Sequence, residues 1–504
     1  MNLEGKGIYY LEIEGNLYLY HNDNKTSLSE IKIDTLDNHY TLNLTTDLKI
    51  YLLEDFPNEK FYHSIIVPTY TNTLTRGEVF ELIDNLLPHL RDTLLICINE
   101  KDNESLGIPD FKKYDITYYQ LESQRHLFKI HKMKERQIPE LWPFTDEYQL
   151  LSILYVMPHR NLTGGMKMLY NQAKILQQRG HKIQILNTGR HEKLPDWVVD
   201  FTPDEEINVP EGTKLVDAII SSGCDIIFSG WYQQLSELEN DKIPVIYWEQ
   251  GHEWLYGDVM QDRNSETWIR QNQLDNYRRD IYLASDSEYV RDVIKTRFHR
   301  DSHILPCFID TNVWYPLKQS IQKDIPTILL VGNPFLRFKG FDKALATLEK
   351  VWKDGICFRV EWMCQHKPEV KKVYPFEIKF HVNLPQARLP EVYRHADVLL
   401  TCSWYEGHPM PPLEAMASGV VVVATNMGGI TQFGIHGKNI MIAYSNSIQE
   451  LSQHLKEVLK NHELRNTLIE NGLETANKAS AGNISLLLER LLISVVKDYE
   501  QKRS

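Results

Sequence analysis

Cys402-Ser-Trp-Tyr-Glu406-Gly-His408-Pro-Met410-Pro-Pro-Leu-Glu414-Ala-Met-Ala-Ser-Gly419-Val-Val-Val-Val-Ala424-Thr425 sets two carboxylates eight residues apart between two short, mostly apolar runs. Ala396 to Thr401 ahead of the loop and Val420 to Ala424 at its end have the composition of parallel strands buried on both faces. Parallel strands need a crossover, so a loop and a helix must lie between them. Pro411 and Pro412 suit a first helical turn, where a missing N–H costs no hydrogen bond, and Gly419 suits the helix exit. Glu406 then lies in the loop and Glu414 in the opening turns of the helix.

That placement has chemical consequences. A helix N-terminus presents unpaired N–H groups and positive partial charge to a diphosphate, and neighbouring carboxylates accept hydrogen bonds from sugar hydroxyls. Taken alone, Glu414 could equally stabilise its own helix dipole. The run as a whole, with Glu414-Ala-Met-Ala-Ser-Gly419 and the later Gly428-Gly429, resembles the glutamate, seven residues, glutamate signature of family-four retaining glycosyltransferases, which have the GT-B fold. The resemblance implies that Glu406 faces the donor hexose and Glu414 the ribose of a nucleotide sugar, with His408 and Met410 lining the donor site. It covers roughly residues 150 to 500.

The chain has 504 residues, too many for one ordinary core, and two to four domains are expected. Hydrophobic content of 42% and charged content of 24% fit a soluble globular protein, and a net charge of −13 argues against nucleic acid as a partner. The cysteines are scattered with no Cys-x-x-Cys pair, which argues against a disulfide framework or a zinc cluster. The N-terminus lacks a signal pattern and no apolar run approaches the roughly 18 residues of a spanning helix, so a cytoplasmic protein is expected, with any membrane contact peripheral at the inner face.

Pattern shifts divide the chain into an accessory region over 1–145, Rossmann-like regions over 146–316 and 317–480, and a C-terminal helix over 481–504, which the resemblance implies crosses back to the first Rossmann region. In the accessory region, alternation from Gly7 to about Leu53 reads as a β-meander with a turn at Gly15-Asn16. Strand, helix and strand follow at Ser64–Thr69, Gly77–Leu90 and Thr93–Ile98. The basic run Arg125–Arg136 reads as an amphipathic helix. Its Leu127, Phe128, Ile130 and Met133 suit either an anionic membrane or polymer, or a neighbouring domain.

From Leu151 the pattern alternates strand and helix: Leu151–Met157, the loop Gly164-Gly165, a helix over Met166–Arg179 ending at Gly180, and Lys182–Leu186. Such units build doubly wound sheets that bind ligands at the carboxyl ends of their strands, and paired glycines let backbone approach a phosphate or sugar. The loop matches neither Gly-x-Gly-x-x-Gly nor a phosphate-binding Gly-Lys-Ser/Thr, so dinucleotide oxidoreductases and P-loop enzymes lose support. His252 follows the strand Pro244–Trp248, and the resemblance makes it a donor-hexose contact. Cys307 and Phe308 stand where the family linker has asparagine and glycine.

The second Rossmann region opens with Thr327–Gly332 and Asn333-Pro-Phe-Leu-Arg337-Phe-Lys339-Gly340. An arginine and a lysine here can neutralise a departing diphosphate. Asn333 occupies the family's arginine position, so Arg337 is read as a spatial substitute, and Lys339 lies one residue later than usual. Pro409 removes an N–H that would face the donor, and Gln432 stands where glutamate is common. Lys379–Asn383 lies where the family reads the base.

The expected activity is retaining transfer of a hexose from a nucleoside-diphosphate sugar, as co-substrate, to a glycan, polymer or protein, with no other cofactor and no metal. A non-catalytic partner or chaperone subunit of the same fold, or a phosphorylase-like enzyme, are the alternatives. The sequence chooses neither the acceptor nor the oligomeric state.

Overall fold

The computed structural model describes strands within residues 7–131 and, from 138 to 504, all residues except 139, 188–193, 210–212, 259–265, 318–324 and 369–371. The chain forms two compact units, one of Met1–Arg136 with Glu253–Ile269 and Ser445–Ser447, the other of Gln137–His252, Arg270–Tyr444 and Ile448–Ser504.

In the first unit the described strands form a mixed seven-stranded sheet and a separate hairpin of Glu30–Asp34 with His39–Asn43. The strands Gly7–Ile13 and Asn16–Asn22 pair antiparallel with Ile13 opposite Asn16. Asn16 is therefore a strand residue, and Gly15 lies outside the described residues. The helix expected at Gly77–Leu90 lies outside the described residues except for Leu90, which opens the strand Leu90–Asn99. Arg125–His131 is a strand, not a helix, and pairs antiparallel with both Leu90–Asn99 and Asp115–Leu121. Cross-strand pairing satisfies its backbone on both edges, and that tertiary term outweighs the helical spacing of its apolar residues. An amphipathic membrane helix is excluded over these residues.

The second unit contains two parallel sheets. In the first, spatial order runs Glu205–Asn208, Lys182–Asn187, Ser152–Met157, Ile226–Ser229, Val245–Glu249, Tyr282–Ser285, His303–Ile304. In the second it runs Ile378–Val382, Arg359–Cys364, Thr327–Val331, Val398–Thr401, Val421–Thr425, Met441–Ala443. Both follow the doubly wound order 3-2-1-4-5-6, extended in the first sheet by a seventh strand, and the direction of winding reverses between the first and fourth strands and leaves a crevice there. The strands are continuous apolar runs because helices cover both faces: Ile226–Ser229, Val245–Glu249 and Val421–Thr425 are buried throughout.

Local signals set the helix ends. Thr163 caps the helix Gly164–Gln178 by accepting from the Met166 N–H at 3.2 Å, and Gly180 turns the chain out with φ of +99°. The last helix, Ala481–Arg503, contributes Leu488, Leu491, Leu492, Val495 and Val496 to the core of the first sheet. The two links between the halves run side by side: the Ile309 N–H donates to Ala479 O at 2.9 Å and the Ala481 N–H to Ile309 O at 3.0 Å. Cys307 and Phe308, just before this crossing, are buried in the first core. Among the described residues no helix is long and apolar enough to cross a membrane.

Candidate active site

Lys339 and Glu406 flank the crevice of the second sheet. Lys339 follows its first strand, in the short 3-10 turn Arg337–Lys339, and Glu406 follows its fourth. Gly340 joins the two loops: its φ is +62°, and a Cβ there would lie 2.1 Å from the Cys402 carbonyl oxygen. The Trp404 N–H donates to Phe338 O at 2.7 Å. Held this way, Lys339 Nζ meets Glu406 Oε1 at 2.7 Å, and the Ser403 hydroxyl donates to the same oxygen at 2.7 Å. Behind it the Glu406 N–H donates to Met427 O at 2.9 Å, and the Gly429 N–H to Glu406 O at 3.1 Å.

The first sheet presents the carboxyl end of Val245–Glu249 to this loop. A Cβ on Gly407 would lie 2.1 Å from Gln250 O and 2.6 Å from Asp286 Oδ2, and one on Gly428 would enter the Tyr289 ring at 2.2 Å. The halves therefore approach backbone to backbone at Gly407. Gln432 Oε1 accepts from the Glu288 N–H at 2.9 Å, so the amide replacing the family's glutamate joins a loop of one half to a helix start of the other.

His252 lies beside the same strand end. Its ring stacks on Tyr232 with centroids 4.2 Å apart, and Nε2 lies 3.6 Å from Glu249 Oε2. Glu249 is buried and accepts from the Gly251 N–H at 2.8 Å and from the hydroxyls of Tyr247 and Tyr277. Burial pushes the Asp286 carboxyl well above the usual carboxylate range, and the charges of Glu249 and Glu406 push it further.

The remaining sequence candidates occupy several environments. Gly165 is confined by Gln250, whose Oε1 would meet a Cβ at 2.7 Å, whereas Gly164 faces open space. Asn333 accepts from the Phe335 N–H at 3.0 Å and shapes its own turn. The Arg337 guanidinium lies 5.6 Å from the centre of the Trp404 ring. His408 is buried with Nδ1 unpartnered, its ring 5.2 Å from Phe433, and burial lowers its pKa to about 4. Met410 opens the helix Met410–Ala417 and packs against the cores of both halves. Glu414, further along it, accepts from the Tyr393 hydroxyl at 2.9 Å and lies 3.9 Å from Lys167 Nζ of the other half. Burial raises its pKa, against the pull of Lys167.

Residues 372–475 match the family described as Glycosyl transferases group 1. The matched segment contains both Glu406 and Glu414. Over 108 residues the chain is 35% identical to an uncharacterized glycosyltransferase of Methanocaldococcus jannaschii, covering 21% of this chain and 29% of that protein. Over 106 residues it is 30% identical to O-antigen chain mannosyltransferase B of Escherichia coli, covering 21% and 27%. The matches thus span less than a third of the length of these curated relatives. Among solved structures, sucrose-phosphate synthase from Thermosynechococcus elongatus superposes with a TM-score of 0.57 at 16% identity, over 69% of this chain and 99% of that one. Anabaena HepE in complex with UDP-glucose does so with 0.55 at 15%, over 68% and 100%. The two facing Rossmann halves have the GT-B fold.

Sequence reasoning passed over Glu249, Asp286 and Lys167. Glu249 carried a signal, since an acidic residue continuing a fully buried strand needs donors. Asp286 likewise follows directly on the buried run Tyr282–Ser285. Lys167 is an ordinary helix residue whose partner is 247 positions away, and nothing local marks it.

Proposed function

We propose that this chain transfers a hexose from a nucleoside-diphosphate sugar to a hydroxyl acceptor with retention of configuration. The observation that carries the reading is the Lys339–Glu406 pair, 2.7 Å apart at the crevice of a doubly wound sheet, with the His252 loop of the facing sheet adjoining it. In this reading Lys339 neutralises charge developing on the departing diphosphate, with Arg337 nearby and no metal or further cofactor required. Glu406 and His252 orient the hexose, and the close approach of the halves excludes water from the anomeric carbon. Gly164 and Gly165, Asn333, His408 and Met410 border the donor, and Glu414, sharing its carboxylate with Tyr393, takes the ribose. The acceptor class is a cell-envelope glycan, a polymer or a protein, and the setting is cytoplasmic or peripheral at the inner membrane face.

Asn333, Pro409 and the engagement of Glu414 by Lys167 favour a second reading, a non-catalytic subunit of the same fold. Incubation with a panel of nucleotide sugars separates the two, with release of nucleoside diphosphate as readout. The enzyme reading expects release by the natural chain and a loss of at least about 100-fold in Glu406→Ala, with unchanged far-UV circular dichroism. Full activity in that variant discards the site; sugar-nucleotide binding without any release supports the subunit.

A further inference from the structure

We infer that Lys167 is a specificity-determining residue that shares one hydroxyl of the donor's ribose with Glu414. The inference rests on the glycosyl-transfer reading, which gives the ribose to Glu414. Lys167 stands in the opening turn of the helix Gly164–Gln178 and reaches the helix Met410–Ala417 of the other half. Its Nζ lies 3.9 Å from Glu414 Oε1, beyond hydrogen-bond range, and no acceptor among the described residues bonds it more closely. Glu414 is anchored through its other oxygen, where Oε2 accepts from the Tyr393 hydroxyl at 2.9 Å, while no donor among the described residues bonds Oε1. Trp314 braces both partners. Its ring centre lies 5.6 Å from Lys167 Nζ and 5.0 Å from that of Tyr393, edge to face.

An ammonium and a carboxylate oxygen thus face each other with hydrogen-bonding capacity unspent. The Lys167 side chain is 32% exposed and that of Glu414 13%, so the ammonium is the open end of the pair. A hydroxyl answers both sides, since it donates one proton and accepts through its lone pairs. Its oxygen, about 2.8 Å from each atom, fits across the 3.9 Å gap without parting the halves. A phosphate oxygen there would be repelled by Oε1 and an amine by Nζ, whereas ribose carries a vicinal pair of hydroxyls. The charge of Lys167 also draws the buried Glu414 carboxyl toward its ionised, acceptor-only form. A deoxyribose lacking the shared hydroxyl would leave both groups unpaired around a methylene, and a site built for a hydroxyl rejects such an analogue strongly.

The test is a cycle between ligand and protein, read by isothermal titration calorimetry on the full chain. UDP, GDP, ADP, CDP and thymidine diphosphate are titrated first, followed by the 2′-deoxy and 3′-deoxy forms of whichever binds. Each is measured on the natural chain and on Lys167→Met, which keeps the side chain's length and removes the ammonium. On the natural chain one deoxy form should bind roughly 10–100-fold more weakly than its parent, and in Lys167→Met that ratio should shrink by about threefold or more. Any loosening of the halves weakens parent and deoxy form alike and cancels in the ratio. Lys167→Ala, held to the same threshold, serves if Lys167→Met fails to fold. A ratio that shrinks by less than about threefold at both hydroxyls overturns the inference and leaves the glycosyl-transfer reading standing. If none of the five nucleotides binds the natural chain, that reading fails and the inference falls with it.

Discussion

Gly340 determines whether Lys339 reaches Glu406, because only a residue without a Cβ can hold φ of +62° at 2.1 Å from the Cys402 carbonyl oxygen. Gly340→Ala should cost about 2 kcal/mol or more in chemical denaturation and should lower nucleoside-diphosphate release along with it. His408 makes a different demand. Its pKa of about 4 in the folded chain lies below the ordinary imidazole value of 6.5, so the unfolded chain binds the extra proton first as the pH falls. The stability tied to a neutral His408 is intact above pH 6.5 and is lost progressively toward pH 4, by roughly 3 kcal/mol in all. His408→Phe should flatten that part of the acid-denaturation curve; an unchanged curve would mean that His408 is not buried. At this scale Lys339, Glu406 and His252 were singled out by the family resemblance together with their places in loops that come after recognisable strands. His408 and Glu414 were named as ligand contacts from the motif alone, and their burial and the Tyr393 and Lys167 partners depend on packing that no local pattern encodes.

Among the elements, the C-terminal helix Ala481–Arg503 places the Glu489 carboxylate against two basic side chains of the first half. Glu489 takes Arg179 Nη2 at 2.6 Å and Nε at 3.1 Å, and His181 Nε2 at 2.9 Å, while His181 Nδ1 accepts from the Leu151 N–H at 3.1 Å. The acceptor role of Nδ1 assigns the ring proton to Nε2, which donates to Glu489. Glu489→Ala leaves that N–H and the Arg179 fork without a partner and should cost roughly 3 kcal/mol in urea melts, with the first half losing native near-UV signal at lower denaturant than the second. The strands of both Rossmann sheets and the amphipathic C-terminal helix were readable from buried apolar runs and the 3.6-residue period, while the helix's crossing back was what the family resemblance implied. The strand Arg125–His131 was not readable, since seven residues with scattered apolar positions fit a short helix as well as a strand, and only its two antiparallel neighbours decide.

For the whole of the two-sheet unit, the described contacts between halves include Gly407 on Gln250 and Asp286, Gly428 on Tyr289, Gln432 on Glu288, and Lys167 near Glu414. Lys167→Glu would set two carboxylates against each other in place of the 3.9 Å pair. Small-angle scattering should then report a larger radius of gyration, with no loss of helix by circular dichroism; an unchanged radius would mean that this pair does not hold the halves together. The GT-B architecture was implied by the family resemblance of the Glu406–Glu414 run, and the two strand-loop-helix series by themselves pointed to doubly wound sheets. The contact pattern between the halves was not legible, because each glycine involved is also an acceptable turn residue.

The returning helix also puts synthesis and folding out of step. Domains generally form in the order in which they leave the ribosome. Here the second half can close its cores from residues already made, whereas the first, translated earlier, lacks Leu488, Leu491, Leu492, Val495 and Val496 until the segment after the second half has been made. A nascent chain arrested or clipped before Ser485 would carry an unfilled apolar seam on its earlier-made half, and that seam is what chaperones and proteases would find.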